Sequence, residues 1–332
     1  MNKRATLRDV ADLAGVSIKT ISRVINDSGP VAEETAARVR DAIDTLEFRP
    51  NPAARSLRVG RDDAVGLVIE NIADPFMAAM TAAVEERMRD RGMFVIVTSG
   101  GYAPEQERAA VESLVFRRIA GMIITPTSSS HAYLSRERPS FPVVFVDRPP
   151  VQFDADTVLA DNEGGARKAT EHLIAHGHRR IAFLADRVHL FTTALRFQGY
   201  RAAMTGAGLP VEPDLVDADV GGIAQACEVV QKLLASADPP TAIFAANART
   251  SIGAVRGLHL AGATRTAYVS FDDLENADSL NPGITVVHQD PARMGEEAAD
   301  LLLERMRHAG GPSRHIVLPT RLIVRGSGEL PP

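Results

Sequence analysis

Two groups of residues in this 332-residue chain have types and spacing that suit chemistry. The first lies near the start, where Ile18, Lys19, Ser22 and Arg23 follow a Gly15-Val16 turn at the head of a short amphipathic run. Long or polar side chains at the beginning of a helix can reach base edges and phosphates. The same pattern also fits a plain three-helix bundle with solvated charges. The second group is dispersed: Asp74, Asp147, Asp186, Asn247 and Asp272 each stand just beyond an apolar run. In doubly wound sheets ligands bind past the carboxyl ends of the strands, where such residues would sit.

Other chemistry lacks its parts. His176-Gly177-His178 offers two imidazoles, but Gly177 reads as a helix end and no third ligand accompanies them, so no metal is expected. There is no Walker-type phosphate loop, and Gly164-Gly165 lacks the dinucleotide spacing. No Gly-x-Ser-x-Gly elbow occurs. The single cysteine, Cys227, has no partner for a disulfide and lies on an apolar helix face. The expectation is a binding protein, not an enzyme, with no cofactor. The N-terminus carries charges without a following apolar stretch, and no run approaches bilayer length, so a cytoplasmic protein is expected.

Composition agrees with a soluble globular chain: 45% hydrophobic and 24% charged residues. The net charge of −5 argues against nucleic-acid binding over the whole surface. Residues 1–60 hold ten Lys/Arg against eight Asp/Glu, while the remainder holds 27 against 34. A mildly basic head on an acidic body puts any phosphate contact at the N-terminal end.

The elements that must position these groups follow from periodicity. Residues 6–46 read as three short helices. Thr6 caps the first, with Leu7, Val10, Ala11 and Ala14 as its stripe. Ser17 caps the second, with Ile18, Ile21, Val24 and Ile25, and Ala36, Val39, Ile43 and Leu46 line the third. Helix, Gly-containing turn, helix is the form of a helix-turn-helix unit. Asn51 and Pro52 then start a helix through Ala53–Leu57 that is too short to be stable alone and suits a hinge. Beyond residue 63 apolar strands alternate with helices: Ala64–Ile69, Phe94–Thr98, Met122–Thr125, Val143–Val146, Ile181–Ala185, Ala242–Ala245 and Ala267–Phe271. Such alternation predicts parallel sheets covered on both faces. The fold class is therefore α/β: a three-helix head at residues 1–49, a hinge at 50–60, and two doubly wound lobes over 61–332. The first lobe takes about 61–160 and 290–322, the second about 161–288.

The stretch from Thr6 to Asn26 resembles the head of the lactose-repressor (LacI/GalR) family of bacterial regulators, and Asn51-Pro52-Ala53-Ala54-Arg55-Ser56-Leu57 resembles that family's hinge helix. The likeness returns in order at Asp161-Asn162-Glu163-Gly164-Gly165, at 172–181, at Arg196-Phe197-Gln198-Gly199-Tyr200, at Ala242–Asn247, at Ser270-Phe271-Asp272-Asp273, at 285–290 and at Arg325-Gly326-Ser327. The resemblance implies a transcription repressor, dimeric on a pseudo-palindromic operator in double-stranded DNA. It also implies a body similar to periplasmic sugar-binding proteins and allosteric control by a small effector. Ile18, Lys19 and Arg23 match its base-reading positions, and Leu57, with Ala54 beside it, matches its minor-groove wedge. Thr6, Ser17, Thr20, Ser22, Asn26, Asn51 and Arg58 complete the expected DNA-contacting set. As effector contacts the resemblance implies Asp74, Phe76, Asp147, Phe191, Thr192, Arg196, Asn247 and Asp272. Ala248 and Arg249 depart from the family by following Asn247 where an Asp is common, and the chain has no tryptophan to stack on a sugar. The cleft residues then count two or three carboxylates against one strong cation, Arg196. That balance favours a neutral sugar or sugar alcohol over a phosphate ester, with a nucleoside between Phe76 and Phe191 as the alternative. The chain stops at Pro331-Pro332 without an appended heptad helix, so a dimer is expected over a tetramer.

Overall fold

The computed structural model describes residues 5–26, 29–48, 63–137, 141–187, 189–308 and 310–332. The hinge helix, with Asn51, Ala54, Leu57 and Arg58, lies outside the described residues, as does the side chain of Asn26. The chain divides into two compact units, Met1–Asp62 and Asp63–Pro332.

The first unit holds α1 (Leu7–Ala14), α2 (Ile18–Asn26) and α3 (Glu33–Thr45). Thr6 caps α1 reciprocally: its Oγ1 accepts from the Asp9 N–H at 3.3 Å, and its own N–H donates to the Asp9 carboxylate at 2.7 Å. Two N-terminal donors that no helical carbonyl can reach are thereby satisfied. Gly15 ends α1 at φ 66°, a left-handed conformation that favours glycine. The Ser17 hydroxyl accepts from the Thr20 N–H at 3.2 Å and so starts α2. Val10, Ala11, Ala14, Ile21, Val39, Ala42 and Phe48 close a small core between the three helices.

The second unit contains two six-stranded sheets. In the first, strands β1 (Ala64–Ile69), β2 (Phe94–Ser99), β3 (Gly121–Ile124), β4 (Val143–Val146), β5 (Asp156–Ala160) and β11 (His315–Leu318) lie in the order β11-β5-β4-β3-β1-β2, all parallel. In the second, β6 (Ile181–Leu184), β7 (Val216–Asp217), β8 (Ala242–Ala245), β9 (Ala267–Phe271), β10 (Thr285–His288) and β12 (Arg321–Ile323) lie as β12-β10-β9-β8-β6-β7. The inner strands are buried along their length, as the continuous apolar runs require. Helices α4 (Pro75–Arg89), α5 (Pro104–Phe116), α6 (Ala132–Glu137) and α11 (Pro291–Arg307) belong to the first lobe. Helices α7 (Asn162–Ala175), α8 (Phe191–Gly206), α9 (Ile223–Leu234) and α10 (Ala248–Leu260) belong to the second.

The chain passes between the lobes three times: after β5, after β10 and between β11 and β12. The last passage corrects the expectation that residues 290–322 stay with the first lobe. β12 pairs antiparallel with β10, Leu322 opposite Val287, so the second sheet recovers the chain at Arg321. Three residues carry too little pattern to announce such a strand.

Close packing fixes α8, which carries cleft residues. A Cβ at Gly199 would stand 2.2 Å from the Glu163 carbonyl oxygen of α7. The next residue on the same helix, Tyr200, is fully buried and donates its hydroxyl to the Ile181 carbonyl at 2.8 Å, tying α8 to β6.

Candidate functional site

The first unit presents on α2 an exposed edge of polar and apolar side chains. Ile21 is fully buried against α1 and α3, which turns the opposite face outward. Ser17, Lys19 and Arg23 are exposed, Thr20 and Ser22 half-buried, and Ile18 is 49% exposed although its type suits the core stripe. An exposed aliphatic residue flanked by two cations is the composition that base-edge contact uses.

The second unit holds a cleft between its lobes, lined from the carboxyl ends of strands in both sheets. The first lobe brings Glu70 and Asp74 after β1, Tyr102 after β2, and Asp147 and Arg148 after β4. The second brings Asp186 and Arg187 after β6, Asn247, Ala248 and Arg249 after β8, and Asp272 after β9, with Gln289 from the passage after β10. Thr192, Thr193 and Arg196 come from the first turns of α8. Asp147, Arg187 and Asp272 have φ of 71°, 38° and 77°. Non-glycine residues are held in that left-handed region only where their surroundings over-determine it.

Most of these groups are committed to one another. Arg196, 4% exposed, lies with its guanidinium carbon 3.8 Å from the centre of the Phe271 ring. Its Nε donates to Asn162 Oδ1 at 2.7 Å and its Nη1 to the Ala246 carbonyl at 2.6 Å. Burial pushes its pKa down, while Asp272 and Asp147 oppose the shift. Asp272 accepts from the Ala248 N–H at 3.0 Å and from the Gln289 side chain. That donation aims Gln289 Oε1 elsewhere, and it is buried without a hydrogen-bond partner among the described residues. Asn247 caps α10 by accepting from the Thr250 N–H at 2.9 Å, and its amide donates to Asp186 at 2.8 Å. Asp74 caps α4 through the Phe76 N–H at 2.9 Å. Burial, with Asp272 facing it, pushes the Asp74 pKa up to about 6. Burial alone would raise Glu70 too, but Arg148 and then Arg187 beside it hold its carboxyl below the usual range.

Asp74, Phe76, Asp147, Thr192, Arg196, Asn247 and Asp272 are thus brought together as expected, whereas Phe191 is not. Phe191 opens α8, is 37% exposed and is absent from the lining. One residue along a helix is a 100° rotation, so a helix that turns Thr192 and Arg196 into the cleft turns Phe191 aside. Of the two aromatic walls expected for a nucleoside base, Phe76 lines the cleft and Phe191 does not, while Tyr102 is a second aromatic lining residue and carries the Arg187 guanidinium against its ring. The charge count is corrected as well. Five carboxylates, Glu70, Asp74, Asp147, Asp186 and Asp272, share the lining with four guanidiniums, Arg148, Arg187, Arg196 and Arg249. The sequence did hold a signal for two of these cations: Asp147-Arg148 and Asp186-Arg187 are the same acid–Arg doublet, the first one position beyond β4 and the second two beyond β6.

The model of the "Periplasmic binding proteins and sugar binding domain of LacI family" matches residues 62–325, and that of "Bacterial regulatory proteins, lacI family" matches residues 6–51. The chain belongs to the LacI family. It is a DNA-binding transcription regulator with a head and a small-molecule domain of that family's kind, and the family is one of regulators, not enzymes. Similar relatives include the HTH-type transcriptional repressor PurR of Mannheimia succiniciproducens, 30% identical over 97% of this chain and 98% of that one. The ribose operon repressor of Escherichia coli is 31% identical over 97% and 99%. Among solved structures, the Lac repressor dimer bound to operator and the anti-inducer ONPF aligns with TM-score 0.87 at 26% identity, covering 98% of this chain and 99% of that chain.

His178 is buried between Thr241 Oγ1 at 2.9 Å and the Leu330 carbonyl at 2.8 Å, and burial lowers its pKa. Among the described residues no group of three or more His, Cys, Asp or Glu side chains is placed to hold a metal ion, and no helix is long and apolar enough to cross a membrane.

Proposed function

We propose that this chain is a cytoplasmic, homodimeric repressor whose two heads bind a pseudo-palindromic operator, controlled by a small neutral, hydroxyl-rich effector between the lobes, a sugar or sugar alcohol. The observation that carries the effector class is that three of the cleft's four arginines, Arg148, Arg187 and Arg196, are already engaged with protein groups. Arg148 donates to Glu70 at 2.6 Å and lies 3.2 Å from Asp147, and Arg187 meets both Glu70 and Asp186. A dianionic phosphate would have to compete with protein carboxylates for these arginines, in a setting where like charges repel at lowered dielectric. Hydroxyls instead donate to Asp74, Asp147, Asp272 and the unpartnered Gln289 Oε1, and accept from Arg196. Phe76 supplies an apolar face for sugar C–H groups. A relative named for the ribose operon agrees with this chemistry.

On the DNA side, Ile18, Lys19 and Arg23 read base edges, and Thr6, Ser17, Thr20, Ser22 and Asn26 support the docking. In the hinge, Asn51, Ala54, Leu57 and Arg58 contact the minor groove, with Leu57 as a wedge. Calorimetry of matched pairs, each sugar beside its phosphate ester, tests the effector class. Binding of the neutral member and weaker or no binding of the ester is expected. Tighter binding of the ester would overturn it and would assign the anion to Arg249 or Arg196.

A further inference from the structure

The rim of the cleft carries a contact that the binding chemistry does not need. The passages between the lobes leave from β5, β10 and β11, at one end of each sheet order. Glu70 and Tyr102 follow β1 and β2, at the far end of the first sheet, and Arg187 follows β6, next to the far edge of the second. The cleft therefore opens on the side where these three residues stand. There Arg187 of the second lobe crosses to the first. Its Nη1 donates to Glu70 Oε1 at 3.1 Å and its Nη2 to Oε2 at 3.3 Å, while its guanidinium carbon sits 4.4 Å from the centre of the Tyr102 ring.

Each partner is braced by its own lobe. Arg148 holds Glu70 at 2.6 Å, and Asp186 holds Arg187 through Nε at 3.2 Å and Nη2 at 3.0 Å. Glu70 is 6% exposed and the Arg187 side chain 21%, so water screens the pair weakly. Bracing removes much of the rotamer entropy that makes most surface ion pairs worth little. The cavity that these residues help to line has room for a few waters.

We propose that Arg187, Glu70 and Tyr102 form an interlobe latch across the mouth of the cleft, which holds the lobes together and which an effector must part in order to enter. The latch rests on the reading of this cleft as the effector site, but it acts without effector. It sets how often the lobes separate, and with that the rate at which any effector gains access.

The test uses the full chain with no effector present, so its outcome is independent of whether the effector is a sugar. Hydrogen exchange is measured for wild type, Arg187→Met, Arg187→Lys and Tyr102→Leu. In Arg187→Met, peptides covering residues 70–77 and 270–275, which face the cleft from opposite lobes, are expected to exchange roughly ten-fold faster, the scale of lost hydrogen bonds to a charged group. Peptides from the outer helices α5 and α9 are expected to stay unchanged. Arg187→Lys keeps the charge but loses the fork and the stacking, so it falls between. Tyr102→Leu gives a smaller rise confined to the same peptides. Unchanged exchange at 70–77 and 270–275 in Arg187→Met overturns the latch. A change limited to the 186–190 neighbourhood does so too, as does a uniform rise that includes α5 and α9, which reports lost stability and not lobe opening.

Discussion

The two working surfaces of this regulator are built on opposite plans. In α2 of the head, Lys19 and Arg23 extend into solvent beside an exposed Ile18, while the core of that unit is closed by other residues. In the cleft, nearly every polar side chain is already bonded to another: Arg196 to Asn162 and Ala246, Asn247 to Asp186 and Thr250, Asp272 to Ala248 and Gln289. The head keeps these side chains outside its fold, so they can change without cost to folding. The cleft's polar groups are part of the fold, so a ligand held by them would couple binding to stability. Preorganisation of this kind lowers the entropy cost of gripping a ligand.

The largest test of that contrast is Arg196→Ala. The substitution strips a buried guanidinium from Phe271, Asn162 and the Ala246 carbonyl and removes a positive charge that favours the ionised forms of Asp147 and Asp272 beside it. Removing one member of a buried charged cluster costs about 3 to 5 kcal/mol. Denaturant unfolding of the body is expected to show a loss of that order, together with loss of effector response. A variant with wild-type unfolding midpoint and no effector response would separate binding from folding, and the contrast would fail.

Arg23→Ala is the counterpart in the head. One lost bidentate contact is worth about 1 to 3 kcal/mol per half-site, and a dimer loses it twice. Stability should stay within about 0.5 kcal/mol of wild type, as for exposed positions in general. Fluorescence anisotropy on operator DNA at fixed salt, alongside a thermal melt, reads both numbers. Wild-type operator affinity would mean that Arg23 does not face the bases. A markedly lowered melting temperature would mean that the head is coupled as the cleft is.

The same contrast governs how much of the molecule could be read beforehand. The head was legible residue by residue, because caps, turn glycine and apolar stripe act within one or two helical turns; Thr6, Gly15 and Ser17 do what their types suggest. The strands announced themselves through continuous apolar runs, and their ends gave Asp147, Asn247 and Asp272. Glu70, and its pairing with Arg187, were not legible, because their meaning lies in a contact 117 positions apart in sequence. No local period encodes a pairing between lobes. Phe191 lies outside the cleft lining for the opposite reason: its neighbour Thr192 does line it, but the rotation of α8 is set by the packing of Gly199 and Tyr200 further along. The short β12 fell below the length at which a strand has a pattern.

The smallest expected effect sharpens the coupling on the cleft side. Asp74 is a helix cap and a cleft acceptor at once, and its pKa is raised to about 6 by burial and by Asp272 across the cleft. An acid whose folded pKa exceeds its unfolded value near 3.8 holds its proton more tightly when folded. Its ionised form therefore costs stability, fully above about pH 6, and the cost is relieved as the pH falls from there toward 4. Asp74→Asn removes the charge and keeps a side chain that caps well. The variant should be the more stable of the two at pH 7.5, and the difference should shrink steadily below pH 6. Binding should move the other way: wild type loses an acceptor for effector hydroxyls as Asp74 protonates, so its effector affinity should fall below pH 6, while Asp74→Asn is weaker at pH 7.5 and flatter with pH. Thermal melts and calorimetry over pH 5 to 8 measure both trends on the same two proteins. Parallel pH profiles in wild type and Asp74→Asn would show that this carboxyl titrates without feeling the fold, which is the behaviour expected of the exposed head and not of the cleft.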